Sequence, residues 1–204
     1  MPNALKNALS RFSPLARRVL PRSVLRFILV RIFGANRPYN LASRHCLEDE
    51  ILPWLAERCG KILFVGTESY AWHYGKRFRP DQYTTIDRDP HNAVWGARDH
   101  ITAAVEEIGR HRPRGFFDCV ILNGVFGFGV DHADHMRMVV KALHGALRPG
   151  GLLVVGWNTD RHADPVALGV YEPYFAESKE EPWVQRREFP PETHVYDFYV
   201  RRPD

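Results

Sequence analysis

Two stretches decide the fold of this chain: Phe117-Asp118-Cys119-Val120-Ile121-Leu122-Asn123, and, some twenty-five residues on, Leu147-Arg148-Pro149-Gly150-Gly151-Leu152-Leu153-Val154-Val155-Gly156-Trp157. Each holds a short continuous apolar run, the pattern of a strand buried on both faces. Between them, Met136, Val139, Val140 and Leu143 recur at helical spacing, which predicts a helix from about His132 to Leu147. Arg148-Pro149-Gly150-Gly151 breaks that helix. Strand, helix and strand in this order predict a parallel pair joined by a crossover helix.

Working outward, Ile62-Leu63-Phe64-Val65 reads as another buried strand. Tyr83 to Asp87 reads as a second, and His100 to Thr102 as a weak third. Trp183 to Phe189 and Val195 to Arg202 read as two strands joined by the Pro190-Pro191 turn. The expected architecture is therefore α/β: a mostly parallel seven-stranded sheet with an antiparallel C-terminal hairpin and an N-terminal helical extension. Ser13-Pro14 signals a first short helix, which Pro21 interrupts; a second runs from Arg22 to Phe33 and ends at Gly34. A third covers much of Leu41 to Arg58, bent or restarted at Pro53. The chain divides into a helical arm over residues 1–40 and one domain over 41–204.

Charge separates the same two parts. The first 47 residues carry nine basic residues (Lys6, Arg11, Arg17, Arg18, Arg22, Arg26, Arg31, Arg37 and Arg44) and no acid. The whole chain has 28 basic and 24 acidic residues, so the body is net acidic. A basic arm on an acidic body points to an anionic partner for the arm. Two readings are open: a helical lid over the site, or attachment of residues 14–33 to an anionic membrane surface, Arg on one side and Leu, Phe and Ile on the other. Its Ser and Arg content without acids also fits a transit peptide. Nucleic acid is not expected, because the arm is strongly apolar and lacks a binding motif. Cys46, Cys59 and Cys119 have no metal-ligand spacing and are odd in number, so no metal is expected and a reducing, cytoplasmic location fits, with peripheral membrane attachment through the arm as the variant. No stretch reaches the length of a membrane span.

Ligands of an open α/β sheet sit outside the carboxyl ends of the strands. Four places there have suitable chemistry. Gly66-Thr67-Glu68-Ser69-Tyr70 follows the first strand, where Gly66 allows a tight turn, though an ordinary strand-to-helix turn reads the same. Asp87, 21 residues past Gly66 and followed by Arg88, is placed to accept from a ribose diol; the plainer alternatives are a helix cap or an ion pair with Arg88. Asp99, with His100 and Ile101, offers a carboxylate and an apolar face to an adenine, or is simply a polar loop. Asn123-Gly124-Val125-Phe126-Gly127-Phe128-Gly129 is a flexible aromatic loop after a central strand, either a site or a packing loop.

Together these residues resemble the class I S-adenosylmethionine-dependent methyltransferases, which have a Rossmann-like sheet. The resemblance runs from Leu41 to Arg202 and is most specific over Phe117–Asn123 and the Leu147-Arg148-Pro149-Gly150-Gly151 entry to the fifth strand. It implies S-adenosyl-L-methionine as cofactor. Gly66 then matches the family's first motif glycine, Asp87 its ribose acid, Asp99 its adenine-side acid, and Asn123 and Gly124 the start of the loop beside the methyl group. One motif departs from the family: Phe64 stands where an acid is usual, and Glu68 and Tyr70 stand in the places of the second and third glycines. Either cofactor binding is lost, or Glu68 supplies the missing carboxylate, with Thr67 beside it.

Methyl transfer from a sulfonium rests mainly on positioning, with a general base where the nucleophile is a hydroxyl. His73 and His132, with His135 nearby, are the candidates for that base, each equally readable as a surface histidine. The Asn-Pro-Pro-Tyr signature of amino-group methylation is absent after the fourth strand. Tyr70, Trp72, Tyr74, Phe126, Phe128 and Trp157 suggest a small, partly apolar substrate. Two other functions compete: a non-catalytic binding protein on the same fold, and a nicotinamide dehydrogenase, against which the missing Gly-x-Gly-x-x-Gly speaks.

Overall fold

In the computed structural model, strand β4 (Phe117–Asn123) lies at the centre of the sheet because its apolar run is buried on both faces. The structure describes residues 20–31, 40–184 and 186–203. The other strands are β1 (Ile62–Val65), β2 (Tyr83–Asp87), β3 (Asp99–Thr102), β5 (Leu147–Asn158), β6 (Phe175–Glu177), β7 (Arg187–Glu188) and β8 (His194–Arg201). Their spatial order is β3-β2-β1-β4-β5-β8-β6, with β7 also on β8. The pairs among β1 to β5 are parallel, and β8 runs antiparallel to β5, β6 and β7.

Alternate residues of the central strands feed two cores. Leu63, Val65, Val120, Leu122, Leu153 and Val155 face one side, where Met136, Val139, Val140 and Leu143 of helix α4 (Ala133–Ala146) cover them. Ile62, Phe64, Cys119, Ile121, Leu152 and Val154 face the other, under a helical run made of α2 (Ala42–His45), a π-helical stretch (Cys46–Ile51) and α3 (Leu52–Arg58). Pro53 sits in the first turn of α3, where its missing N–H costs little. Cys46, Cys59 and Cys119 are buried thiols.

Two features of the sheet differ from expectation. The first arm of the C-terminal hairpin is only Arg187–Glu188, because Trp183 turns into the core, stacked 5.1 Å from Phe198 and edge-on to Trp54. The short strand β6 adds a further partner for β8, so the sheet has eight strands among the described residues. The connections after β1, β2 and β3 carry only 3₁₀ turns, Tyr74–Arg77, Pro90–Trp95 and Val105–Arg110. Among the described residues, α4 is therefore the one full crossover helix.

Helix α1 (Arg22–Arg31) docks on the turn after β2. Leu25 and Leu29 pack on Val94 and Trp95, and the Arg26 guanidinium donates to the carbonyls of Val94 and Gly96, both at 2.8 Å. Val24 and Phe27 stay exposed on its outer side. The helix expected after Ser13-Pro14, the end at Gly34, and Lys6, Arg11, Arg17, Arg18 and Arg37 lie outside the described residues.

Candidate functional site

A cleft of about 870 Å³ opens at the carboxyl ends of β1, β2, β3, β4 and β5. Its floor begins at Gly66, whose φ of +83° lies in the left-handed region that favours glycine. Gly66 N–H still donates to Ile86 carbonyl at 2.9 Å, so the chain leaves β1 only after that bond. Thr67 then turns back to β2: its amide donates to Asp87 Oδ2 at 2.7 Å, and its hydroxyl lies 3.3 Å from the same oxygen and 3.1 Å from Asn92 carbonyl.

Asp87 thus holds three segments together. Oδ2 also accepts from Asn92 Nδ2 at 3.3 Å, and Oδ1 accepts from the Asp89 amide at 2.8 Å. A carboxylate offers about four lone-pair sites. Oδ2 is filled, whereas Oδ1 has one donor among the described residues and keeps room for another. Beside it, the half-buried Glu68 lines the cleft, and burial pushes its carboxyl up. No salt bridge joins Glu68 to a cation among the described residues.

The opposite wall comes from α2 and β8. The Arg44 guanidinium lies 4.0 Å over the Tyr70 ring and donates to the Tyr74 hydroxyl, which donates on to Glu48 at 3.0 Å. Antiparallel pairing sets Asn158 opposite His194 and Gly156 opposite Tyr196, and parallel pairing sets Asn123 level with Gly156. Asn123, Asn158, His194 and Tyr196 all line the cleft. Burial first, then the nearby Arg44 charge, push His194 down to about 4. On the side of β3, Ala103, Ala104, Val105 and Glu106 line the cleft, and His135 from α4 contacts Glu106.

Of the residues singled out from the sequence, the cleft brings together Gly66, Thr67, Glu68, Tyr70, Asp87, Arg88, Asn123, Gly124, Phe128 and His135. The others sit elsewhere. Asp99 opens β3 instead of closing it, at the far end from the cleft, and its carboxylate is taken by Arg112 at 2.5 and 2.6 Å and by the Thr84 hydroxyl at 2.8 Å. His100 bonds Thr85 Oγ1 at 2.9 Å, burial first and Arg22 second push it down to about 4, and Ile101 is in the core. His132 is exposed at the N-terminus of α4, and His73 contacts Glu48. Trp72 lies under α1 beside Arg26, Tyr74 and Phe126 are buried, and Trp157 is buried with its N–H donating to Asp197 at 2.8 Å.

Arg44, Glu106, Asn158 and His194 reach the cleft without a sequence signal of their own. His194 had one usable clue: it stands at the start of a strand, level with the end of β5 once the antiparallel register is known.

No protein-family model matches the sequence, and no curated protein matches it. Solved structures do. The N-methyltransferase NodS from Bradyrhizobium japonicum WM9, in complex with S-adenosyl-L-homocysteine, superposes with a TM-score of 0.59 at 15% identity, covering 99% of this chain and 98% of its own. A 1,6-didemethyltoxoflavin-N1-methyltransferase from Burkholderia thailandensis gives 0.56 at 20% identity, covering 89% and 88%. A TehB-like S-adenosylmethionine-dependent methyltransferase from Corynebacterium glutamicum gives 0.56 at 17% identity, covering 88% and 96%.

The fold is that of the class I methyltransferases. In this methyltransferase fold the turn after β1 is held by Thr67 and Asp87, Glu68 and Tyr70 stand in the places of the second and third motif glycines, and Phe64 fills the usual acid's place as a core residue, edge-on to Tyr74 at 5.6 Å.

Proposed function

We propose that this protein is an S-adenosylmethionine-dependent methyltransferase acting on a small, partly apolar molecule by in-line transfer. The observation that carries the reading is the joint placement of Gly66, Asp87 and Glu68 on one wall of the cleft. Asp87 Oδ1 has an open lone pair for a ribose hydroxyl, and Glu68 offers a carboxylate without a cation among the described residues. Ala103 to Glu106, instead of Asp99, border the space for an adenine. When bound, the cofactor supplies a methyl group on a sulfonium. The chain's residues bind and orient: Glu68 faces the ammonium of the methionine moiety, Asn123 and Gly124 border the methyl position, and Tyr70 and Phe128 give the substrate an apolar rim. Methyl transfer needs little more than such alignment.

The test is calorimetric titration with S-adenosylmethionine and S-adenosylhomocysteine. Saturable binding is expected. A charge-assisted bond is worth about 1.5–3 kcal/mol, so Glu68→Ala should weaken binding at least tenfold. Unchanged affinity removes Glu68 from the site, and no binding by the full chain favours a non-catalytic role for the fold.

The basic arm keeps a second role in this reading, as a peripheral membrane anchor, because Val24 and Phe27 are exposed on α1 while Leu25 and Leu29 are committed to the body. No helix among the described residues is long and apolar enough to cross a membrane. Co-sedimentation with anionic vesicles should fall several-fold for Val24→Glu/Phe27→Glu; equal pelleting of variant and parent sinks the anchor.

A further inference from the structure

Helix α1 grips the cleft from outside. None of residues 22–31 lines the cleft, yet the inner face of the helix packs on both loops that build the cleft floor. Leu25 and Leu29 pack with Val94 and Trp95 from the turn after β2, and with Trp72 from the segment after β1. Arg26 joins the same two loops. Its guanidinium donates to the carbonyls of Val94 and Gly96, both at 2.8 Å, and lies 5.8 Å over the Trp72 ring. The two carbonyls close the 3₁₀ turn Pro90–Trp95. The last carbonyls of a helical turn have no N–H donor within it, and a cation suits them.

The turn that Arg26 caps reaches into the cleft. Asn92, in its middle, donates from Nδ2 to Asp87 Oδ2 at 3.3 Å, and its carbonyl accepts from the Thr67 hydroxyl at 3.1 Å. Asp89 caps the start, accepting from the His91 amide at 2.8 Å. Just past the end, the Ala97 amide donates to Thr85 Oγ1 of β2 at 2.9 Å. Thr67, Asp87 and Asn92 all line the cleft. The two Asn92 bonds are long ones, so a small movement of the turn changes them. Arg26 is therefore two steps from Asp87: it fixes the end of the turn, and the turn fixes Asn92.

We propose that α1 is an external clamp on the cofactor floor, with Arg26 as a positioning residue acting through Asn92 on Asp87 and Thr67, so that docking of α1 sets the affinity for the cofactor. The clamp rests on the methyltransferase reading. A helix of ten residues is marginal alone in water, so α1 depends on docking, and docked and undocked forms are the two states a clamp needs. Docked, the turn keeps Asn92 and Thr67 on Asp87 Oδ2 and leaves Oδ1 for a ribose hydroxyl. Undocked, the turn loses its cap, and a ligand must order it on binding, which weakens affinity. The coupling is reciprocal: a cofactor that favours the docked state strengthens docking by the same factor. Val24 and Phe27, on the outer side, take no part in the clamp.

The test uses the full chain, with S-adenosylhomocysteine followed by calorimetry and by amide hydrogen exchange. Arg26→Ala should weaken binding at least about fivefold, the low end of ordinary coupling between sites. Arg186→Met breaks an ion pair shared with no residue of the clamp, and its affinity should match the parent's, so a general loss of stability does not imitate the effect. In the parent, saturating ligand should slow exchange at the amides of residues 22–31 several-fold, although none of them lines the cleft, and Arg26→Ala should remove that protection. No binding by the parent overturns the methyltransferase reading and the clamp together. With binding by the parent, a loss below about fivefold in Arg26→Ala, an equal loss in Arg186→Met, or exchange over residues 22–31 unmoved by the ligand overturns the clamp alone.

Discussion

Two glycine-to-alanine substitutions should move stability in opposite directions. At Gly156, an added methyl meets Asn123 Oδ1 at 2.1 Å, Tyr196 Cε1 at 2.6 Å and His194 Nε2 at 2.9 Å. Ordinary contact begins near 3.4 Å, so Asn123 must retreat by more than an ångström. The room to do so is small, because these side chains stand on β4 and β8, both paired to β5 at this level. Overpacking of this kind costs about 1–3 kcal/mol. For a domain of this size each kcal/mol lowers Tm by roughly 2–4 °C. Gly156→Ala should therefore lose about 2 kcal/mol and roughly 4–8 °C. Gly145, inside α4, has nothing within 4 Å of a Cβ. Alanine there reduces the freedom of the unfolded chain and suits the helix, so Gly145→Ala should gain about 0.5–1 kcal/mol. Urea unfolding with thermal melts reads both. Gly156→Ala as stable as the parent, or both variants shifting the same way, refutes the crowding argument.

Arg186 donates to Asp197 at 2.6 and 3.1 Å and to Asp164 at 2.7 and 3.1 Å, and Asp197 is only 5% exposed. Breaking a buried pair costs about 3–5 kcal/mol, less where one partner is partly wet as Arg186 is, so Arg186→Met should lose about 2–3 kcal/mol in urea unfolding; a loss below 0.5 kcal/mol contradicts the role given to it. Arg186 holds the Asp164 carboxyl below its ordinary value, so that contribution is present above the unfolded value and fades as pH falls through the folded one. His100 and His194, both near 4, act earlier: between about 6.5 and 4 the unfolded chain takes up protons that the folded one refuses, and stability falls. A stability profile flat across that window refutes the buried neutral state of both rings.

The sequence was informative wherever a signal is local. The apolar runs around Ile62, Val120 and Val154, the helix between Ala133 and Ala146, and the breaking Pro149-Gly150-Gly151 were all legible, because burial on both faces of a strand and on one face of a helix writes a period into the chain. Asp87 was legible as an acid closing a strand. Asp99 was counted among the carboxyl-end positions although the weak run read from His100 to Thr102 sets it ahead of its strand, and β3 does begin at the acid, away from the cleft. The hairpin arm at Trp183 to Phe189 shrank for a tertiary reason, since Trp183 gains more from stacking on Phe198 than from extending a strand.

What the sequence determined by itself is therefore the α/β class, the parallel core and the carboxyl-end position of Gly66, Asp87 and Asn123. Only the tertiary structure decided which side chains share the cleft. Arg44, Asn158 and His194 are far apart in the chain and carry no motif. They meet because antiparallel pairing of β8 with β5 fixes a register, and because the helical run from Ala42 packs across the sheet. Register and helix placement come from mutual burial of distant surfaces, which no local pattern encodes.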